Sequence, residues 1–264
     1  MKAETLVDAL GVRGGEVVAL VGGGGKTTTM FVLARELAGR GRGVLATTTT
    51  RILRPTTDQA PCLLIESTLD GLLSRLPRCL ERHPLAVLGS GLDSDGKVLG
   101  IDPDWVGPLL GLTGVGNIII EADGAAGRPF KAPRSHEPVI PGRCDLVVPV
   151  VGIEAVGRVL DEKRVHRADR VAALASMDLG QSVTAEVVAL VLLHPEGNIK
   201  GAPVGARVVP LINKVDDDTL RDSARELARR LLERGAGRVV LAHTAFEPRV
   251  VEVLEVSGQL QVFQ

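Results

Sequence analysis

Short apolar runs alternate with amphipathic stretches along the chain. Glu16–Val21 is a strand-length run, bounded by Gly14-Gly15 and then by four consecutive glycines. From Met30 the period changes. Met30, Leu33, Ala34, Leu37 and Ala38 fall on one helical face, and Gly39 ends it. Gly43–Ala46, Cys62–Ile65 and Leu85–Leu88 read as further strands, with a helix predicted near 68–80. Gly91–Gly100 contains the hairpin turn Ser94-Asp95-Gly96, and Asp102-Pro103 opens a helix through Leu110. Asn117–Glu121 is a strongly apolar strand ending in acid, and Asp145–Val151 is another strand. Helices are predicted over 168–177 and 183–193. Arg207–Ile212 reads as a strand, followed by a helix with Leu220, Ala224, Leu227 and Leu231 on one face. Val239–Leu241 is the last clear strand.

Strands alternating with helices predict an α/β fold, a mainly parallel β-sheet covered by helices on both faces. A single domain over 1–264 is expected, with an inserted Gly/Pro-rich loop at about 122–144. Ligands of such sheets sit beyond the carboxyl ends of the strands, which is where the chemistry-bearing residues fall.

Composition narrows the function. The 264 residues are 45% hydrophobic and 24% charged, with a net charge near −1. No basic field exists to attract nucleic acid. Aromatics are 2% with no Tyr, too few for base stacking along a single strand. Met1-Lys2-Ala3-Glu4 lacks a signal-type apolar core, and no apolar run has the length of a membrane span. Cys62, Cys79 and Cys144 are far apart and odd in number. They are expected to be reduced thiols in a cytoplasmic protein, with no disulfide framework.

Gly22-Gly23-Gly24-Gly25-Lys26-Thr27-Thr28 follows a strand and opens a helix. Glycines let backbone N–H groups turn toward an anion, and the helix N-terminus adds positive partial charge. Lys26 is expected to reach the outer phosphates and Thr27 to ligate Mg²⁺. Leu20 stands where the common phosphate-loop pattern has glycine. The spacing resembles the deviant loop of the signal-recognition, MinD and BioD-like P-loop NTPases, with Val21 in place of their signature lysine. Such enzymes often dimerise across the nucleotide, so a homodimer is a partner state to consider, although Val21 removes its usual sequence support.

Asn213-Lys214-Val215-Asp216 follows an apolar strand and matches the N-K-x-D pattern of GTPases. The Asp216 carboxylate can accept two hydrogen bonds from guanine, a donor pair adenine lacks. Asn213 would tie this loop to the phosphate loop, and the Lys214 stem would pack on the base. Asp216–Asp218 could equally cap the next helix. GTP is therefore favoured over ATP. Ala242-His243-Thr244, after the last strand, is a candidate second base-contacting loop.

Glu121 and Asp123 end their strand two residues apart and lie on the same side. Either could hold the Mg²⁺ shell or orient water, and spacing does not separate them. With Lys26 they form the candidate catalytic set. Thr47–Thr50 ends the second strand near the expected triphosphate. Thr49 and Thr50 are its favoured metal or phosphate contacts, against the plain reading of threonine as a good strand former.

The stretch 121–141 reads Glu-Ala-Asp-Gly-Ala-Ala-Gly-Arg-Pro-Phe-Lys-Ala-Pro-Arg-Ser-His-Glu-Pro-Val-Ile-Pro. Arg128, Lys131 and Arg134 are cations beside the expected Mg²⁺ acid, suited to phosphate or to an anionic substrate. His136 and Glu137 could move protons or touch a metal. His166-Arg167 precedes a helix, and His166 is a further substrate candidate beside a structural reading.

This stretch resembles the YqeC family. So do the glycine loop, Thr47–Ile52, Val165-His166-Arg167 and Gly197-Asn198-Ile199-Lys200-Gly201-Ala202-Pro203. The resemblance implies a P-loop NTPase associated with maturation of selenium-dependent molybdenum hydroxylases. An apo molybdenum hydroxylase, or its cofactor, would then be the partner. The alternative is an ATP-dependent small-molecule kinase or ligase of the dethiobiotin-synthetase type.

Overall fold

A computed structural model describes residues 5–247 and 249–256. Met1–Glu4, and the expectation attached to them, lie outside the described residues, as do the ends of the 1–264 span. The main sheet comprises β1 (Val17–Gly22), β2 (Gly43–Thr48), β3 (Cys62–Ile65), β4 (Leu85–Gly89), β5 (Val115–Glu121), β6 (Leu146–Gly152), β7 (Leu211–Asn213), β8 (Arg238–Ala242) and β9 (Val250–Glu255). Its order is β9-β8-β7-β6-β1-β5-β2-β4-β3. Every pair along it is parallel except β8 with β9.

Strand alternation sorts the core. Val18 and Leu20 of β1 point to the face covered by α1 (Leu6–Leu10) and α2 (Lys26–Ala38). Val17, Ala19 and Val21 point to the other, where α3 (Leu69–Leu80) and α4 (Val106–Leu110) pack. On that same side Val151, Ile212 and Leu241 meet α5 (Ala168–Ala175), α6 (Ala185–Leu193) and α7 (Asp218–Glu233). β1 is central and wholly buried, so the glycine loop after it is held from both sides.

The strand expected over Arg207–Ile212 is broken. Arg207–Val208 pairs with the start of β6, and β7 pairs with its end. Pro210 lies between them and has no N–H to give the ladder. Residues 122–144 join β5 to β6, the two neighbours of β1, without a helix. Phe130–Lys131 within that loop pairs in parallel with Val165–His166.

The expectation of three reduced thiols is corrected. Cys62 of β3 and Cys79 of α3 form a disulfide, and only Cys144 is free. Their 17-residue separation carried no signal, because the pairing depends on how α3 folds back on the edge strand. The thiol ground for a reducing compartment is therefore lost. Among the described residues no helix is long and apolar enough to cross a membrane.

Candidate functional site at the carboxyl ends of the strands

β1 hands directly to α2 through the glycines. Gly22, Gly24 and Gly25 have φ of +92°, +77° and +115°. A Cβ at Gly24 would come within 2.0 Å of the Gly152 nitrogen, and one at Gly22 within 2.4 Å of the Val150 oxygen. Both positions thus demand glycine for backbone hand and for space. α2 opens at Gly25 with no side-chain cap and no acid in its first turn, and Thr28 is exposed there. Its first N–H groups and its dipole are left for an anion.

The acidic strand end meets this loop. Lys26 Nζ donates to the Gly22 carbonyl at 2.6 Å and stands 3.2 Å from Asp123 and 3.9 Å from Glu121. The Thr27 hydroxyl donates to Glu121 Oε2 at 2.6 Å. The Gly22 N–H donates to both Asp123 oxygens at 3.1 Å. The two carboxylates therefore differ: Glu121 bonds to the helix-opening threonine, whereas Asp123 bonds to the loop backbone and lysines. Burial pushes the Glu121 carboxyl up, and the Lys26 charge and the Thr27 hydrogen bond pull it partly back.

The threonine run is engaged with its neighbours. Thr47 donates to the Leu88 carbonyl at 3.0 Å and Thr48 to that of Glu121 at 2.8 Å. The Thr49 hydroxyl donates to Val139 at 2.7 Å, in the long loop, leaving only its lone pairs for a metal.

The long loop carries a buried chain of charges. Lys131 is wholly buried and stands 3.0 Å from Asp123 and 2.9 Å from Glu137, and it donates to the Gly124 carbonyl at 2.7 Å. Glu137 is gripped by both terminal nitrogens of Arg167. Burial would raise the Glu137 carboxyl, but hydrogen bonds from Arg167 and Lys131 prevail and hold it at about 2. Arg128 meets the site through its backbone: its carbonyl accepts from the Gly24 N–H at 3.0 Å, while its guanidinium donates to the carbonyls of Ala126 and Glu162. His136 and Arg134 are exposed. His166 is half-buried opposite Lys131 in the short ladder. Burial, with the charges of Arg167 and Lys131, lowers its pKa.

The N-K-x-D segment reaches the same loop. Asn213 Nδ2 donates to the Gly24 carbonyl at 2.8 Å, and its Oδ1 accepts from the Thr244 N–H at 3.0 Å. Lys214 sits at φ +63° and pairs with Glu154. Asp216 is exposed, 3.8 Å from His243. α7 is capped by Asp217, which accepts from the Leu220 N–H at 2.8 Å, so the Asp216 carboxylate is not needed as the cap.

Three residues went unassigned in the sequence reading. Arg167 closes the charge chain and Glu154 holds Lys214. Asn198 is wholly buried with its amide unpartnered among the described residues, and its Nδ2 would lie 2.7 Å from a Cβ at Gly22. The resemblance already pointed to the segments holding Arg167 and Asn198, but nothing in the pattern marked Glu154. A cavity of about 820 Å³ opens at the opposite end of the sheet. There Arg207, Arg234 and Arg238 are already paired with Glu16, Glu186 and Glu255.

Sheet order, glycine loop and converging carboxylates define a P-loop-like, nucleotide-binding type of α/β fold. The chain matches the family described as YqeC protein over residues 18–169, more than half its length. It is also 33% identical over 199 residues to the Escherichia coli (strain K12) protein described as "Uncharacterized protein YqeC", covering 75% of each chain. The chain belongs to the YqeC family.

Proposed function

We propose that this chain works as a single-domain, Mg²⁺-dependent nucleoside triphosphatase that prefers GTP. We further propose that its turnover serves as an accessory step in maturing selenium-dependent molybdenum hydroxylases. The nucleotide reading is carried by one observation. Asn213 joins the N-K-x-D segment to the glycine loop at Gly24 and to the loop after β8 at Thr244. A base held by Asp216 and phosphates held by Gly22–Thr28 would then belong to one ligand.

The residues fit the groups this reading requires. The first turn of α2 carries no side-chain cap, as a phosphate cradle needs, while the Gly23 and Gly24 N–H groups donate to the Val150 and Arg128 carbonyls and hold the loop in place. Mg²⁺ typically takes one or two protein oxygens and completes its shell with phosphate and water. The Thr27 hydroxyl with the Glu121 carboxylate is a donor set of that kind. Bound there, Mg²⁺ would neutralise charge developing on the phosphates. Lys26 would bind the outer phosphates, and the open N-terminus of α2 would face the same charge.

GTP and ATP affinities in the wild type, Lys26→Ala and Asp216→Ala test this. GTP should bind more tightly than ATP, and Asp216→Ala should remove most of that preference, about tenfold or more. Lys26→Ala should weaken both nucleotides. If ATP binds better and Asp216→Ala changes nothing, the guanine assignment fails, and ATP use that appears only with a small substrate would favour the kinase alternative. The client role rests on the family resemblance. It is checked by asking whether an apo molybdenum hydroxylase accelerates GTP hydrolysis.

A further inference from the structure

Three donors converge on one carboxylate beside the glycine loop. Asp123 is wholly buried, accepts the Gly22 N–H with both oxygens, and lies 3.2 Å from Lys26 Nζ and 3.0 Å from Lys131 Nζ. One backbone N–H of a phosphate-type loop and two ammonium groups constitute an anion site. In this conformation its occupant is the protein's own carboxylate. The residue preceding the loop supplies no cation, because it is the apolar Val21, buried in the sheet. Of the long loop's other cationic side chains, Arg128 is turned to the carbonyls of Ala126 and Glu162, Arg134 is exposed, and Arg143 pairs with Asp145 at 3.5 Å.

We propose that this convergence is the terminal-phosphate subsite of the nucleotide, with Asp123 as its exchangeable internal anion and Lys131 as its second cation. The inference rests on the nucleotide reading above and deepens it. A phosphate oxygen is an acceptor of the same charge sign as the carboxylate, so it replaces Asp123 without leaving Lys26 or Lys131 unpaired. Lys131 is pre-positioned for that exchange. Its ammonium keeps Glu137 and the Gly124 carbonyl when Asp123 leaves, and Glu137 is itself held by Arg167. The ladder between Phe130–Lys131 and Val165–His166 fixes the backbone from which Lys131 extends. A diphosphate, lacking the terminal group, would leave Asp123 in place. Lys131 therefore discriminates triphosphate from diphosphate, a task distinct from that of Lys26.

The test is the affinity for GTP and for GDP, with Mg²⁺, in the wild type, Lys131→Met, Asp123→Asn and the double variant. Lys131→Met should weaken GTP at least about tenfold while leaving GDP nearly unchanged. Asp123→Asn should tighten GTP, because the competing anion is gone, and should spare GDP. The double variant, in which one buried charge of each sign is removed together, should still bind GTP as poorly as Lys131→Met. Restoration of wild-type GTP affinity in the double variant would make Lys131 a mere counter-ion of Asp123 and overturn the proposal. So would equal weakening of GTP and GDP by Lys131→Met, or weaker GTP binding by Asp123→Asn. A far-UV circular dichroism spectrum shows which variants are folded, and the charge-balanced double variant keeps the comparison decisive. Failure of the wild type to bind GTP, ATP or GDP would instead sink the nucleotide reading itself, and the subsite with it.

Discussion

At the scale of single residues, Glu121 and Glu137 oppose each other in what they do for stability. Glu121 is raised above the ordinary glutamate value of 4.5 because burial outweighs Lys26 and Thr27. A carboxyl raised in the fold is most favourable when protonated, and that stability is lost as pH rises through 4.5 toward the folded value. Glu121→Gln should therefore melt higher than the wild type at pH 7 by calorimetry. It should also lose Mg²⁺-dependent nucleotide affinity, by about tenfold or more. That trade between stability and function is expected where a charge is kept dry for chemistry. Glu137 runs the other way. Its carboxyl is held at about 2 against 4.5, so its contribution is complete above 4.5 and drains as pH falls toward 2. Glu137→Gln should flatten the acid limb of the Tm profile between those values and lower Tm at neutral pH, where the Lys131 and Arg167 charges lose their partner.

At the scale of elements, the parallel strands and their helices were legible because each buries a face with a clear period. Residues 69–80 have Leu72, Leu76 and Cys79 at helical spacing, and β1 is apolar throughout because it is covered on both sides. The glycine loop was legible because backbone hand and close packing demand glycine at neighbouring positions. What escaped was set by contact between distant segments. Spacing put Glu121 and Asp123 on one side but could not say that the first meets Thr27 and the second Lys131. The short helix Leu6–Leu10 and the antiparallel β9 were missed, since five residues make little more than one helical turn and the edge strand β9 has no fully buried residue to mark a face. The disulfide was missed for the same reason as the carboxylate pairing, and it yields a prediction of its own. Closing a loop of this length restricts the unfolded chain and is worth about 3 kcal/mol. Reduction with dithiothreitol should lower Tm accordingly. Nucleotide affinity should be unchanged, because β3 lies at the edge of the sheet, four strands from β1.

Across the whole molecule, the site is assembled at the seam where β1, β6 and β7 end side by side. Asn213 is the stitch: one amide reaches back to Gly24 after β1 and forward to Thr244 after β8. It is nearly wholly buried, and a Cβ on Gly25 would lie 2.6 Å from its Nδ2, so the amide is packed against the cradle as well as bonded to it. Asp216, three residues on, faces solvent beside His243 and touches no part of the cradle among the contacts described. The two residues of one tetrapeptide should therefore fail differently. Asn213→Ala leaves the Gly24 carbonyl and the Thr244 N–H without their side-chain partner, at a cost of roughly 1–3 kcal/mol. Because Gly24 belongs to the proposed phosphate cradle, GTP and ATP should weaken together, by about 5- to 150-fold, with a lower Tm. Asp216→Ala should leave Tm and ATP affinity untouched and weaken GTP alone. Titration of both nucleotides into both variants separates the outcomes. If Asn213→Ala weakened only GTP, the amide would be reading the base and not joining the loops. If neither variant distinguished the nucleotides, Asn213–Asp216 would be a helix entrance and nothing more.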